Sequence, residues 1–328
     1  MRPVIGLTMG DPAGIGPEVV VQACMRHTTK HRTLLIGDFG VLEETVTRLS
    51  SPLVLYEWTV GDPLRPESRG IPVLNSSHLN PKDRVPGNPT AAGGNASYRY
   101  VQIGVHLALT KTLDGLVTAP ICKSMWHAAG HHYPGHTELL AKMTRTPEVR
   151  MMLVGEQLRV ILVTTHMALT RVAERLTIAN IEKTIVLAAN HLERFHGVNT
   201  PRLAVAGFNP HSGEGGAFGS EERLLVQPAI DKAVANGLAV TGPVSPDTVF
   251  VQAMRGEFDA VICHYHDQGL IPFKMVSWFD GVNVTVGLPI IRTSPDHGTA
   301  FDIAGQNKAD DRSMHAAVAL AAAMTERV

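Results

Sequence analysis

Short aliphatic and β-branched runs alternate along this chain with longer stretches of helical period. The apolar runs fall at 4–8, 33–36, 115–118, 150–154, 159–164, 202–207, 260–263 and 282–286, and most are continuous, without polar residues at every second place. A strand that is apolar on both faces has to be covered on both faces, which predicts a mostly parallel sheet packed between helices. Segments 181–195 and 221–235 carry apolar positions at helical spacing, and Asn236–Gly237 predicts where the second stops. The segment 57–97 differs, with prolines at 63, 66, 72, 81, 86 and 89. It reads as an irregular excursion with edge strands, because 71–74 keeps strand character.

Composition narrows this picture without adding much to it. The 328 residues suggest about two domains. A hydrophobic share of 44%, a charged share of 18% and a formal net charge of -1 describe an ordinary globular chain with no general attraction for nucleic acid or anionic membrane. Cys24, Cys122 and Cys263 are too few and too scattered for a disulfide framework, which fits a reducing compartment. The first apolar run is broken by Gly6 and Asp11 and reads as a strand, not a signal peptide. The Ala-rich run 314–324 is too short to span a bilayer, so a cytoplasmic location is expected.

Candidate chemistry gathers where strands end. VILVTTH closes on His166, LAVAGFNPH on His211 and AVICHYH on His266. In open parallel sheets, sites form beyond the carboxyl ends of the strands. Any one of these among sixteen histidines could be a hydrogen-bonded loop residue. Three at equivalent ends suit a divalent metal with an open position, and Zn²⁺ fits imidazole ligands well. His264 rivals His266, because residues two apart share a strand face.

Anion chemistry is the second theme. YPGHTE places His136 beside a predicted helix start, with Thr137 as its cap and Glu138 in the first turn. Arg292 follows a strand-like run, while Lys274 and Asn283 flank a Trp-Phe-Asp-Gly turn. Singly these are ordinary surface residues; grouped with the histidines they suggest an anionic substrate held by a guanidinium and an ammonium. Lys123 follows another strand end and reads equally as a cleft residue or a surface charge. GDPAGIGPE (10–18) follows the first strand and opens a helix, but it lacks the third glycine of a dinucleotide fingerprint and is interrupted by Pro12 and Pro17. By itself it reads as a tight turn.

DHGTAFDIAG (296–305) resembles the loop with which isocitrate and isopropylmalate dehydrogenases hold the adenosine of NAD(P), and GDPAGIGPEV resembles their N-terminal glycine segment. The closer resemblance, through TAPICK, GHTE, TTHMAL, NPHSGEGGAFGSEE, PDTVF, YHDQG and VGLPIIRTSPDHGTAFDIAG, is to the 4-hydroxythreonine-4-phosphate dehydrogenase family, PdxA. It spans nearly the whole chain. The fold it implies is two α/β/α domains flanking a cleft, isocitrate/isopropylmalate dehydrogenase-like, with 1–125 plus 285–328 as the first domain and 126–284 as the second.

That resemblance also implies site residues and partners. His166, His211 and His266 match the family's metal ligands, at a homodimer interface where the third histidine comes from the partner; Zn²⁺ is favoured over Mg²⁺ or Co²⁺. His136, Thr137, Lys274, Asn283 and Arg292 match substrate contacts. Gly14, Gly16, His297, Gly298, Thr299, Ala300 and Asp302 become cofactor candidates for NAD or NADP. His264 and Cys263 depart from the family's usual residues. The activity implied is oxidation of a 4-phosphorylated 3-hydroxy acid followed by loss of CO₂, with Lys274, Asp267 and Asp247 as catalytic candidates. A sister branch acts on 4-phospho-D-threonate or 4-phospho-D-erythronate; Asp11, Tyr133-Pro134 and the 278–281 turn look closer to it. The alternatives are a phosphate acyltransferase of similar architecture and a dehydrogenase of an aromatic dihydrodiol dicarboxylate.

Overall fold

The computed structural model describes residues 2–26, 30–65 and 70–327, so Pro66 of the proline-rich excursion lies outside the described residues. Its strands are β1 (Val4–Thr8), β2 (Arg32–Asp38), β3 (Leu55–Glu57), β4 (Ile71–Ser77), β5 (Gly115–Thr118), β6 (Arg150–Val154), β7 (Arg159–Leu162), β8 (Leu203–Ala206), β9 (Val240–Val244), β10 (Ala260–Cys263), β11 (Val282–Val286) and β12 (Ile291–Pro295). The chain divides into two compact units, Met1–Pro147 with Leu288–Glu326 and Glu148–Gly287 with Arg327–Val328. The first division falls after Pro147, not near 125, so the helices Lys123–Ala128 and His136–Met143 belong to the first unit.

The first unit is built on strands in the order β3-β4-β2-β1-β5-β12. Every pair in it is parallel. Ile5, Leu7, Leu34, Ile36, Leu116 and Val117 are buried, as continuous apolar strands require. Helices Ala91–Leu109 and Arg312–Thr325 pack on these strands. No helix among the described residues is long and apolar enough to cross a membrane. Two of the excursion's segments do pair, β3 and β4, and they form the edge of this sheet.

The second unit has the order β11-β6-β7-β10-β8-β9. The sheet is mostly parallel here too, as expected, but β6 runs antiparallel to both β7 and β11. Only residues 155–158 separate β6 from β7, with Gly155 N–H donating to Leu158 O at 3.0 Å, and a parallel crossover needs a dozen residues or more. The expected helix 221–235 is also two segments, a widened π turn Glu222–Val226 followed by an α-helix Gln227–Ala235. Pro228 has no N–H to return to Leu224, which accounts for the change of winding. Val160, Leu162, Ala204, Val261 and Phe273 meet in the core of this unit.

His191, on the helix Ile178–His196, is 5% exposed, and its Nε2 has no hydrogen-bond partner. Burial, with the neighbouring His196 and Arg194 adding to it, lowers its pKa to about 3. The unfolded chain binds this proton first, so the stability gained from a neutral ring is complete above about pH 6.5 and is lost as the pH falls toward 3. Wild-type protein should therefore lose stability between pH 6 and 4 more steeply than His191→Phe, by at most about 1.4 kcal/mol per pH unit for the one proton. Urea unfolding at several pH values checks this; parallel curves for the two proteins would exclude it.

Candidate functional site

Two groups of polar side chains stand out, one in each unit. In the first unit, Arg292 is 2% exposed within β12 and donates from Nη2 to Thr118 Oγ1, at the end of β5, at 2.6 Å. The run before Arg292 is mostly a turn, and the strand begins only at Ile291, so Arg292 lies inside it. Burial lowers the guanidinium to about 9, which leaves it charged at neutral pH. His136 is the first residue of the helix His136–Met143, and Gly135, not Thr137, occupies the cap position. Thr137 stands in the first turn, where its backbone N–H points out of the helix start. His136 packs edge-on against the buried Trp126, ring centroids 5.7 Å apart, and its Nε2 is buried without a partner. Burial, then the charges of Arg292 and Lys123, hold this imidazole well below its ordinary pKa. Lys123 therefore faces the group. Two cations and a neutral imidazole around one helix start can hold a phosphate or carboxylate.

The two glycine-containing motifs also meet within the first unit. Ile15 N–H donates to Thr299 O at 2.9 Å, and the buried Glu18 accepts from Gly305 N–H at 2.5 Å. A Cβ on Gly14 would lie 2.9 Å from Thr299 O, and one on Gly16 would lie 2.4 Å from Met9 O, so both positions need glycine for close approach. These contacts shape the loop carrying His297, Gly298, Thr299, Ala300 and Asp302. His297 Nδ1 lies 3.1 Å from Gly298 O, Asp302 O accepts from Gln306, and the space over Gly298 is open. A cradle of this kind, backbone close-packed on one side and open on the other, can accept a flat nucleotide.

In the second unit, the rings of His166 and His266 stand 5.3 Å apart. His266 opens the helix His266–Val276 and donates from Nδ1 to Asp267 Oδ1 at 2.7 Å, which leaves Nε2 as its free lone pair. His211 lies on a left-handed stretch, 211–215, that includes three non-glycine residues with φ of 43–53°. Such residues cost roughly 1–2 kcal/mol each. Asn209 and Glu222 pin the stretch: Asn209 N–H and Nδ2 both donate to the Glu222 carboxylate, at 2.6 and 2.9 Å. His211 Nδ1 faces Asp247 Oδ2 at 3.9 Å, and Ser245 donates to Asp247 at 2.6 Å, which lowers that acid's pKa. Among the described residues, no three metal-ligating side chains of one chain converge. Lys274 Nζ stands 5.5 Å over the Trp278 ring, and Asn283 Oδ1, on β11, is buried without a partner.

Residues 29–321 match the family described as pyridoxal phosphate biosynthetic protein PdxA. The chain belongs to the PdxA family. It is 46% identical over 323 residues to a 4-hydroxythreonine-4-phosphate dehydrogenase of Desulforapulum autotrophicum, covering 98% of this chain and 95% of that one. It is 44% identical over 328 residues to a D-threonate 4-phosphate dehydrogenase of Cupriavidus necator, covering 99% and 98%. The crystal structure of a 4-hydroxythreonine-4-phosphate dehydrogenase from Klebsiella pneumoniae superposes with a TM-score of 0.89 at 41% identity, covering 99% and 98%.

Sequence reasoning on this PdxA-family chain missed Thr118, the partner that orients Arg292, and the Asn209–Glu222 brace under His211. It also passed over Asp11 as a site residue. That carboxyl is fully buried, accepts from Ala13 N–H at 3.0 Å, and is pushed up to about 6 by burial. A polar residue closing an otherwise apolar strand was the available signal for Thr118. A cavity of about 390 Å³ lies elsewhere in the first unit, among Cys24, His31, His315 and Ala319, and none of these groups lines it.

Inorganic phosphate should bind the wild-type protein and raise its Tm. Arg292→Lys should weaken that binding at least about tenfold, because an ammonium cannot reproduce the two-pronged donor set. Equal phosphate affinity in the two proteins would remove Arg292 from the anion site.

Proposed function

We propose that this chain catalyses the NAD-dependent oxidation and decarboxylation of a 4-phosphorylated 3-hydroxy acid, with 4-phospho-D-threonate or 4-phospho-D-erythronate ahead of 4-phosphooxy-L-threonine. The observation that carries the reading is the buried Arg292 guanidinium, bonded to Thr118 and sharing its surroundings with neutral His136 and with Lys123. A buried cation with fixed geometry suits a phosphate or carboxylate on a small substrate. The names of the relatives fit this, since each specifies a phosphorylated substrate. The threonate and the amino substrate differ by a hydroxyl or an amino group at C2. Asp11, Tyr133-Pro134 and the 278–281 turn favour the threonate branch.

The donor set in the second unit fits a divalent metal. His266 has the carboxylate-bound imidazole usual in such sites, and Asp247 stands ready to orient His211 in the same way. A bound Zn²⁺, or Mg²⁺ or Co²⁺ in its place, would supply Lewis-acid stabilisation of negative charge on substrate oxygen. His166, His211 and His266 would hold it, and a second copy of the chain completes the set. Support for that copy is the exposed apolar surface on and after the His266 helix: Ile271 at 60%, Met275 at 81%, Trp278 at 67% and Phe279 at 50%.

The chain's own residues have separate tasks in this reading. Arg292, His136, Lys123 and the Thr137 backbone bind the phosphate, and the neutral state of His136 lets it donate one hydrogen bond without adding a charge. Lys274 and Asn283 hold substrate oxygens. Asp267 fixes the His266 ring and its carboxylate takes up the proton that the substrate C3 hydroxyl loses on oxidation, while Asp247 orients His211. The loop 296–305 holds the nucleotide of NAD or NADP, positioned by Glu18 and Ile15.

NADH formation at 340 nm with 4-phospho-D-threonate, and separately with 4-phosphooxy-L-threonine, tests the reading. Turnover should be greater with the threonate and should fall at least about tenfold with EDTA or in Asp267→Asn. Turnover of the amino substrate alone would reverse the preference, and turnover of neither would overturn the substrate class.

A further inference from the structure

The second unit contains a buried hydrogen-bond clamp across the three strand ends that precede the histidines. The backbone ladder between β8 and β10 stops at Val205 and Ile262. Beyond it the carbonyls of Ala206 and Gly207 have no β10 backbone donor opposite them. Two side chains take over: His264 Nε2 donates to Ala206 O at 2.7 Å, and Gln268 Nε2 donates to Gly207 O at 2.7 Å. Because a carbonyl only accepts, the proton of His264 is on Nε2. Gln268 Oε1 in turn accepts from His264 N–H at 2.7 Å, so the two residues lock each other.

The other side of β10 is tied as well. His264 O accepts from Thr164 Oγ1 at 2.7 Å and from Thr164 N–H at 3.2 Å, just past the end of β7. His264, Gln268 and Thr164 are all buried. His264 therefore touches β8 through its ring, the β7 end through its carbonyl and Gln268 through its amide. Each anchored point lies close to a histidine in sequence: Thr164 two residues before His166, Gly207 four before His211, and His264 two before His266. A shift of any of these ends would carry its histidine with it.

We propose that His264 and Gln268 are positioning residues that hold the strand ends of β7, β8 and β10 in the arrangement from which His166, His211 and His266 bind a divalent cation. This rests on the metal-binding reading above. It also gives a role to His264, which otherwise stands as a second histidine beside a ligand. Its ring is turned into the protein and bonded to Ala206, so it is not itself a ligand.

The test uses the full-length protein, stripped of metal, and reads zinc affinity by competition with a chromophoric chelator. His264→Leu and Gln268→Leu should each bind zinc about 10–100-fold more weakly, and His264→Gln, whose amide can still donate to Ala206 O, should stay within about threefold of wild type. Thermal unfolding of the stripped proteins runs alongside, because support of the fold alone would lower Tm without changing zinc affinity. Unchanged affinity in both leucine variants overturns the inference, as does a His264→Gln protein as weak as His264→Leu. A wild-type protein that takes up no zinc removes the metal reading and the inference with it, whereas normal wild-type uptake with unaffected variants removes the inference alone.

Discussion

Burial of the central strands on both faces is the constraint on which the rest of this protein depends. Residues such as Ile5, Leu7, Val160, Ile161, Val205, Val261 and Ile262 are almost wholly removed from water, and a strand of that kind offers no face for chemistry. Apart from Arg292 inside β12 and Asn283 inside β11, the polar groups of both sites are displaced to or beyond the carboxyl ends, where the ladder stops and backbone carbonyls need new partners. Thr118, Thr164, His166, His264 and His266 all lie at or just beyond such ends. The same constraint makes those ends rigid, because each leaves a packed sheet.

Each unit uses this arrangement differently. In the first, a buried arginine is held by a threonine from the neighbouring strand, and the nearby imidazole is kept neutral by burial and by two cations. The result is a local net positive charge from groups that burial and packing fix in place, suited to an anion. In the second, Asp267 orients the His266 imidazole at Nδ1, Asp247 faces His211 Nδ1 at 3.9 Å, and the backbone beneath the histidines is braced by buried side-chain hydrogen bonds. The left-handed stretch that carries His211 costs conformational energy, and the Asn209–Glu222 pair braces it.

Much of this was legible in the sequence. Continuous apolar runs located β1, β5, β6, β10 and β11 to the residue, because such runs have few other ways to be buried. The histidines stood out as the polar residues that close apolar runs, and the two glycine motifs by their likeness to a known cofactor loop. Other features were hidden for physical reasons. The direction of β6 depends on the four-residue connection to β7, which the apolar pattern does not encode. β7 stops at Leu162 because Thr164 turns its donors toward His264, a partner 100 residues away. The cap of the helix at His136 is a backbone feature of Gly135, whereas Thr137 carries the better side chain for that role. Arg292 was read as following its strand, although it lies within it, because a charged residue inside a buried strand is tolerable only with a partner such as Thr118.

In the proposed function the three histidines form one metal site completed by a second copy of the chain. Metal-stripped His211→Ala and His266→Ala proteins, each unable to assemble the set alone, can be mixed under conditions that exchange subunits, then titrated with zinc. If His211 and His266 of one site belong to different chains, each mixed dimer regains one intact site, and both bound zinc and NADH-forming turnover reappear. Mixed dimers that form but bind no zinc would contradict a site in which His211 and His266 come from different chains.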